Sequence, residues 1–164
     1  MLIKLKNLCG SIRNRVRKYY YKLLYGNKYL PAKGVFARKS FQILIEDSGI
    51  VTIGDRTFFN NYCSLNCMKK ITIGHDCVIG ENVKIYDHSH IYSDANVPIA
   101  NQGFSVKEVS IGDNCWIGSN VTILKGTKIG DHCVIGANCL VFGEIPDNTI
   151  LRFAASNMEA IEMR

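Results

Sequence analysis

With 164 residues, 47% of them hydrophobic, the chain has the length and composition of about one globular domain. No apolar run approaches the length of about 20 residues that spans a bilayer. Lysines and arginines also interrupt every apolar run near the N-terminus, which argues against a secretory signal. We therefore expect a cytoplasmic protein.

The net charge of +6 is concentrated at one end of the chain. Residues 1–40 contain eleven lysines and arginines and no acidic residue, so the remaining residues carry a net charge of −5. This asymmetry indicates a basic N-terminal arm over residues 1–40 with a role of its own. Nucleic acid is not the expected partner, because no recognised binding motif accompanies the charge.

Within this arm, the pattern over residues 2–25 predicts an amphipathic helix with basic residues on its polar face. The apolar residues that recur at intervals of three and four are Leu5, Leu8, Ile12, Val16, Tyr19, Tyr20, Leu23 and Leu24. Two roles remain open for this helix. It could cap the open end of the domain that follows, or residues 1–30 could dock on the anionic inner face of a membrane.

Residues 41–149 are dominated by a six-residue repeat. The unbroken part of the series is Ile111, Ile117, Ile123, Ile129, Ile135 and Val141. A helix repeats its apolar face about every 3.6 residues and a half-buried strand about every two, so neither explains this period. Short strands that each point one aliphatic residue inward do explain it. The repeat predicts an all-β fold, a parallel β-helix with three strands in each coil.

Small residues are expected where each coil turns a corner. Glycine follows the repeat residue at Gly112 and its equivalents, where a side chain would obstruct the bend or φ is positive. Five of the seven cysteines occupy another small slot, four residues after a repeat position: Cys63, Cys77, Cys115, Cys133 and Cys139. We interpret these as small buried hydrophobic residues rather than as disulfide partners or metal ligands.

The repeat has irregular segments. Val51 and Ile53 are two aliphatic residues that compete for one register, and the same pattern recurs at Ile71 and Ile73. Residues 91–108 lack the repeat altogether, and a long excursion from a regular solenoid is usually functional. Residues 150–164 are expected to form a C-terminal tail, in which residues 156–159 resemble a capping box that opens a short helix.

His88 and His90 stand where the coil gives way to the excursion, two residues apart and hence on one face of a strand. An imidazole with a pKa of about 6.5 is neutral at pH 7 and can act as a general base. The pair could instead bind a metal ion, with a third ligand from elsewhere; His75 is a conceivable but badly placed donor. Otherwise His75 and His132 are expected to be solvated corner residues.

The repeat, the excursion and the His-Ser-His motif together resemble the hexapeptide-repeat acyltransferases, which have a left-handed parallel β-helix. The resemblance extends over residues 53–149 and is most specific at residues 87–104 and 111–120. These segments are similar to the galactoside and maltose acetyltransferases. They are closer still to the O-acetyltransferases of capsule, exopolysaccharide and O-antigen sugars.

The resemblance implies roles for individual residues. It makes His90 the catalytic base, His88 a neighbour that orients the sugar or His90, and Asn60 the active-site asparagine.

The resemblance also implies a cofactor groove. Trp116 would line it, and the main chain at Ser119 and Ala137 would contact the pantetheine arm. The basic residue that usually follows the β-helix is absent, so Lys125 and Arg152 are candidates to bind the coenzyme A phosphates.

The activity implied is transfer of acetyl from acetyl-coenzyme A to a sugar hydroxyl of a surface polysaccharide or its precursor. It would take place in a groove between subunits of a homotrimer, without a metal ion. Three alternatives remain open. They are an acetyltransferase for antibiotics or other small molecules, a metal-dependent hydratase of the γ-carbonic anhydrase type, and a non-catalytic solenoid scaffold.

Overall fold

A computed structural model describes residues 2–46, 48–153 and 158–162. Helix α1 spans Leu2–Tyr25, and single 3₁₀ turns follow at Gly26–Lys28 and Ile99–Asn101. The first three coils contain the strands β1 Tyr29–Pro31, β2 Phe36–Ala37, β3 Gln42–Ile45, β4 Ile50–Ile53, β5 Phe58–Phe59, β6 Ser64–Cys67, β7 Lys70–Ile73, β8 Val78–Ile79 and β9 Lys84–Tyr86.

The remaining strands begin with the excursion. They are β10 His88–His90, β11 Phe104–Val106, β12 Val109–Ile111, β13 Trp116–Ile117, β14 Thr122–Ile123, β15 Lys128–Ile129, β16 Val134–Ile135, β17 Leu140–Val141, β18 Glu144–Ile145, β19 Thr149–Phe153 and β20 Met158–Glu162.

Three parallel sheets form the sides of the molecule. Sheet A contains β1, β4, β7, β12, β15 and β18; sheet B contains β2, β5, β8, β13, β16 and β19, with β20 added antiparallel; sheet C contains β3, β6, β9, β14 and β17. The predicted parallel β-helix is confirmed. Its first coil begins at Tyr29, inside the segment interpreted as an arm.

The repeat residues stack in register to form the core. Ile111 pairs with Ile73 below it and with Ile129 above it, and all three are buried. Val51 and Ile53 are also both buried, so they do not compete for one position. They alternate with Thr52 along a strand long enough to point both of them inward.

The corner glycines are required by close packing of the coils. A Cβ on Gly54 would lie 2.5 Å from the carbonyl carbon of Gly74 in the next coil. The left-handed conformation of the turns is instead adopted by residues such as Asn82, Asn120 and Asn138, with φ of 57°, 59° and 63°. Of the two reasons predicted for glycine, steric obstruction is the one that applies here.

The five cysteines in the small slot are buried, and every cysteine whose side chain the structure describes is a free thiol. The thiols of Cys63 and Cys77 donate to the carbonyls of Gly80 and Gly112 at 3.0 and 3.1 Å. Cysteine therefore fills this slot as a small hydrophobic residue that also satisfies a corner carbonyl.

Helix α1 lies across the open end of the first coil. Its polar side chains Asn14, Arg17, Lys18, Tyr21, Lys22 and Tyr25 donate to the main-chain oxygens of Val35, Ala37, Ala32, Phe41, Tyr29 and Ile43, respectively. These carbonyls belong to the first coil, below which no further coil can supply donors. The helix is therefore a cap, as solenoid ends require.

At the other end, the predicted short helix is wrong for the described residues. Met158–Glu162 forms a strand that pairs with β19, while residues 156–157 lie outside the described part of the chain. Strand β19 has an open edge, and pairing along it satisfies the backbone of both strands. This pairing outweighs the local capping signal.

Candidate active site

The excursion leaves the β-helix at the corner between sheets C and A and contains an antiparallel ribbon. Strand β10 pairs with β11, so that His88 faces Val106 and His90 faces Phe104. The ribbon therefore includes both histidines. It begins at His88, before residues 91–108, the segment that lacks the repeat.

Asp87 anchors the base of this ribbon. Its side chain is fully buried and accepts hydrogen bonds from the main-chain N–H groups of Met68, Lys69 and Lys70, the shortest at 2.7 Å. The thiol of Cys67 donates to it as well, at 3.3 Å. Asp87 was not among the residues predicted for the site. The available signal was a charged residue two positions after the inward-facing repeat residue of β9, where alternation calls for an apolar side chain.

The carboxyl of Asp87 remains ionised. Burial is the largest influence and would raise its pKa, but the hydrogen bonds from Met68, His88 and Lys69 together lower the pKa below its ordinary value. An ionised carboxylate only accepts hydrogen bonds. The His88 Nδ1 atom, 3.0 Å from Asp87 Oδ1, therefore carries the proton, and Nε2 is the basic nitrogen of neutral His88.

His90 differs from His88 in having an uncommitted ring. It is exposed, and neither of its ring nitrogens has a hydrogen-bond partner among the residues that the structure describes. The centroid of the His90 ring lies 4.5 Å from the centroid of the Phe104 ring. The centroids of the His88 and Phe104 rings are 5.4 Å apart. The two histidines therefore share one face of the strand, as predicted.

His75 is not simply solvated. Its ring nitrogens Nδ1 and Nε2 lie 2.8 Å from carboxylate oxygens of Asp76 and Asp113, and the hydrogen bond with Asp76 raises the pKa of His75. With both nitrogens engaged, His75 is not available as a third ligand for the histidine pair. Over the described ranges, no cluster of three His, Cys, Asp or Glu residues suits a metal ion. His132 is an exposed corner residue, as expected.

A second group of candidate residues lies along the corner between sheets B and C, which we call the B/C edge. At this edge the N–H of Glu81 is satisfied by the Ser119 hydroxyl of the next coil, at 3.3 Å. The next coil presents Ala137 to Ser119, and alanine has no acceptor. The main-chain N–H groups of Ser119 and Ala137 accordingly donate to no acceptor within the described chain.

Ser119 also lines a polar groove of about 320 Å³, together with Tyr62, Glu81, Asn82 and Asn120. Two N–H groups one coil apart, about 4.8 Å, suit the carbonyl oxygens of an extended amide chain. Pantetheine is such a chain, so the residues present fit this part of coenzyme A.

Trp116 and Arg152 extend this surface. Trp116 lies on sheet B and is 56% exposed. Arg152 is exposed and lies directly above Gly136 in the next coil, one position from Ala137. Lys125 is in the turn between sheets C and A, near the point where the excursion returns.

The predicted site residues thus fall into two groups. Asn60 belongs to the B/C edge, where its Oδ1 accepts from Arg38 and from the N–H of Asn61. His88 and His90 stand at the opposite side of sheet C. About six residues of extended chain separate the two edges, roughly 20 Å. The fold brings each group together but does not join the two within one chain.

Comparison with known proteins supports the family prediction. A family model described as bacterial transferase hexapeptide (six repeats) matches residues 108–143. The Escherichia coli (strain K12) protein WbbJ, for which O-acetyl transfer in lipopolysaccharide biosynthesis is inferred, is 36% identical over 110 residues. The match covers 63% of this chain and 56% of WbbJ, so the chain spans little more than half the length of that relative.

Solved structures extend the similarity to nearly the whole chain. A hexapeptide-repeat acetyltransferase from Vibrio cholerae superposes with a TM-score of 0.76 at 27% identity, covering 92% of this chain and 80% of that one. A maltose O-acetyltransferase from Clostridium difficile 630 is 30% identical with a TM-score of 0.64, covering 79% of this chain and 69% of that one. The chain belongs to the hexapeptide-repeat acyltransferase family.

As a hexapeptide-repeat acyltransferase, the protein has the fold class expected from its sequence, a left-handed parallel β-helix, apart from its C-terminal strand. The Vibrio cholerae acetyltransferase has also been solved in complex with acetyl-coenzyme A, at 26% identity and a TM-score of 0.74. That complex shows that a close structural neighbour in the family binds this cosubstrate.

Proposed function

We propose that the protein transfers an acetyl group from acetyl-coenzyme A to a hydroxyl of a sugar in a surface polysaccharide or its precursor. The observation that carries this proposal is the uncommitted imidazole of His90 on the excursion, beside a second histidine fixed by a buried carboxylate. The sugar acceptor is supported by the similarity to WbbJ and to the maltose O-acetyltransferase.

In this proposal His90 acts as the general base. It accepts the proton of the sugar hydroxyl, holds it on a ring nitrogen, and returns it to the leaving thiolate. His88 cannot turn freely, because Asp87 holds its Nδ1, so it positions the sugar or His90. Acetyl-coenzyme A would supply the acetyl group as a thioester. The N–H groups of Ser119 and Ala137 would hold the carbonyl oxygens of the pantetheine arm and so place the thioester for attack by the sugar oxygen.

A second copy of the chain would complete the site. Because sheet C separates His90 from Ser119 in one chain, a neighbouring copy is needed to place its B/C edge against the histidines. Sheet B offers a surface for such a neighbour, since its outward side chains form one continuous apolar stripe: Phe36, Phe58, Val78, Trp116, Val134 and Ile150. We infer a homotrimer with shared grooves.

We further infer that the protein works in the cytoplasm, at the inner face of the membrane, where precursors of surface polysaccharide are available. Residues 1–30 would make the peripheral contact. Over the described residues, no helix combines the length and the hydropathy needed to cross a bilayer.

The proposed activity can be tested by incubating the protein with acetyl-coenzyme A and a panel of glycans. Release of free thiol should depend on the acceptor, and mass spectrometry should find one acetyl group added to a hydroxyl of the accepted sugar. Acetylation of antibiotics or other small molecules, with none of any glycan, would favour the small-molecule alternative. Failure to bind coenzyme A would contradict the acetyltransferase activity and would favour the non-catalytic scaffold.

A further inference from the structure

The outward face of helix α1 is apolar and uncovered. The cap uses the polar side of the helix, which leaves these apolar side chains exposed: Ile12, Val16, Tyr19, Tyr20, Leu23 and Leu24. Leu23 is 89% exposed. A soluble domain rarely leaves a contiguous apolar stripe of this kind in water without a partner.

Cations gather beside this stripe. A groove of about 780 Å³ between α1 and sheet A is lined by Arg15, Lys18 and Lys22 on the helix side and by apolar residues such as Leu30 and Pro31 on the sheet side. Among the described residues, no acidic side chain lines it. Lys18 and Lys22 reach first-coil carbonyls only at 3.3 and 3.5 Å, so these ammonium groups retain donors for an anion.

We propose that this face of α1 docks on a bilayer containing anionic phospholipid. The apolar stripe enters the interface, and a lipid phosphate occupies the groove between Arg15, Lys18 and Lys22. Polybasic residues beside an apolar helical face are the combination that binds anionic membranes. This inference deepens the proposed location at the inner face of the membrane, and it does not depend on acetyl transfer.

Charge favours lipid over a second copy of the chain as the occupant. A symmetric contact through α1 would place the cations of one groove near the cations of another, and the described lining of the groove includes no acidic residue to offset the repulsion. An anionic bilayer neutralises the same charges. Capping and docking thus use different faces of one helix, and Lys18 and Lys22 lie at the boundary between the two faces.

The test is co-sedimentation of the full chain with vesicles of phosphatidylcholine alone or with phosphatidylglycerol added. Point substitutions are needed, because deleting the helix would uncover the carbonyls of the first coil. Leu23→Asn probes the stripe and Arg15→Glu the groove. Their matched controls are Leu140→Asn, on the exposed side of β17, and Lys70→Glu, which changes the net charge by the same amount as Arg15→Glu.

Wild type and both controls should sediment with the anionic vesicles only, and less at high salt. Arg15→Glu and Leu23→Asn should each weaken binding by about tenfold or more, with unchanged thermal melting. The proposal is overturned if wild type sediments no more with vesicles that contain phosphatidylglycerol than with phosphatidylcholine alone, or if the two variants bind as well as their controls. A change in oligomeric mass in Leu23→Asn, without vesicle binding by wild type, would assign the stripe to a second copy.

Discussion

At residue 87, between the end of β9 and the start of β10, the chain buries a carboxylate two residues after the buried Ile85. A buried charge is costly unless hydrogen bonds satisfy it, and here three main-chain N–H groups do so. The same carboxylate fixes the ring of His88. One residue therefore both closes the corner from which the excursion departs and orients a candidate site histidine.

Replacing Asp87 with asparagine should separate these effects. Asp87→Asn removes the charge that the N–H groups stabilise, so the free energy of unfolding should fall by about 1–3 kcal/mol in urea titrations. Nitrogen NMR should show His88 losing its preference for the proton on Nδ1. Glu108→Gln removes an exposed carboxylate that pairs with Lys69 and should cost less than about 1 kcal/mol. An unchanged His88 tautomer would show that Asp87 does not position the ring.

The His75 cluster should give a pH-dependent contribution to stability. The pKa of His75 is raised, chiefly by the hydrogen bond with Asp76, so its contribution is fully present below about pH 6.5 and is lost as pH rises through the folded-state pKa. The Arg56 and His75 hydrogen bonds hold the pKa of Asp76 at about 2, so Asp76 stays ionised throughout this window.

Asp76→Asn should therefore lower the pKa of His75 in NMR titrations, and it should lower the melting temperature more at pH 5.5 than at pH 9. Asparagine tolerates the left-handed backbone at this position, where φ is 56°. The control Glu144→Gln breaks a Lys128 pair that includes no histidine, so any effect on melting should be equal at both pH values. Equal losses at both pH values in Asp76→Asn would refute the histidine contribution.

At the scale of elements, helix α1 matches its predicted range over residues 2–25, because its 3.6-residue periodicity is local. The orientation of the helix could not be predicted from that pattern. An apolar face is normally buried. Here the carbonyls of the first coil require hydrogen-bond donors, so the polar face of the helix packs against them. The same limit applies to Met158–Glu162, where strand pairing with a distant part of the chain overrides a local helix signal.

The cap can be tested with two adjacent tyrosines. The Tyr21 hydroxyl donates to Phe41 O and accepts from Ile43 N–H, both at 3.1 Å, and both partners are buried. Tyr21→Phe should lower the free energy of unfolding by about 1–3 kcal/mol, because two buried polar groups lose their partner. Tyr20→Phe, on the exposed side of the helix, should change it by less than about 0.5 kcal/mol. Equal effects in chemical denaturation would mean that the hydroxyl does not secure the cap.

At the scale of the whole molecule, the six-residue repeat was sufficient to predict the β-helix and most of its core. The hydrogen-bond partners of individual groups were harder to predict from the sequence. Ser119 and Ala137 lie one coil apart within the regular repeat, but the contact between the Glu81 N–H and the Ser119 hydroxyl crosses the excursion, so it could not be predicted before the excursion was placed. The proposed assembly would depend on the outward-facing residues of sheet B, about which a repeat of inward-facing residues gives no information.

The inferred trimer should have a mass three times the 18.4 kDa of the chain in light scattering at micromolar concentration. Val78→Lys places a charge in the apolar stripe of sheet B and should produce monomers. Thr72→Lys, at an outward position of sheet A, should leave the mass unchanged. A monomeric wild type, or a trimer unaffected by Val78→Lys, would contradict the assembly through sheet B.

Transfer rates of histidine variants at saturating substrates test most directly whether His90 is the base for acetyl transfer. His90→Ala should keep the trimer and coenzyme A binding while losing about 10²- to 10⁴-fold in rate. His88→Ala should lower the transfer rate by about tenfold, since His88 positions the sugar or His90 and does not accept the proton. The corner control His132→Asn should match wild type, because asparagine accepts the same backbone conformation. A nearly normal His90→Ala beside an inactive His88→Ala would contradict the claim and move the base to the histidine held by Asp87.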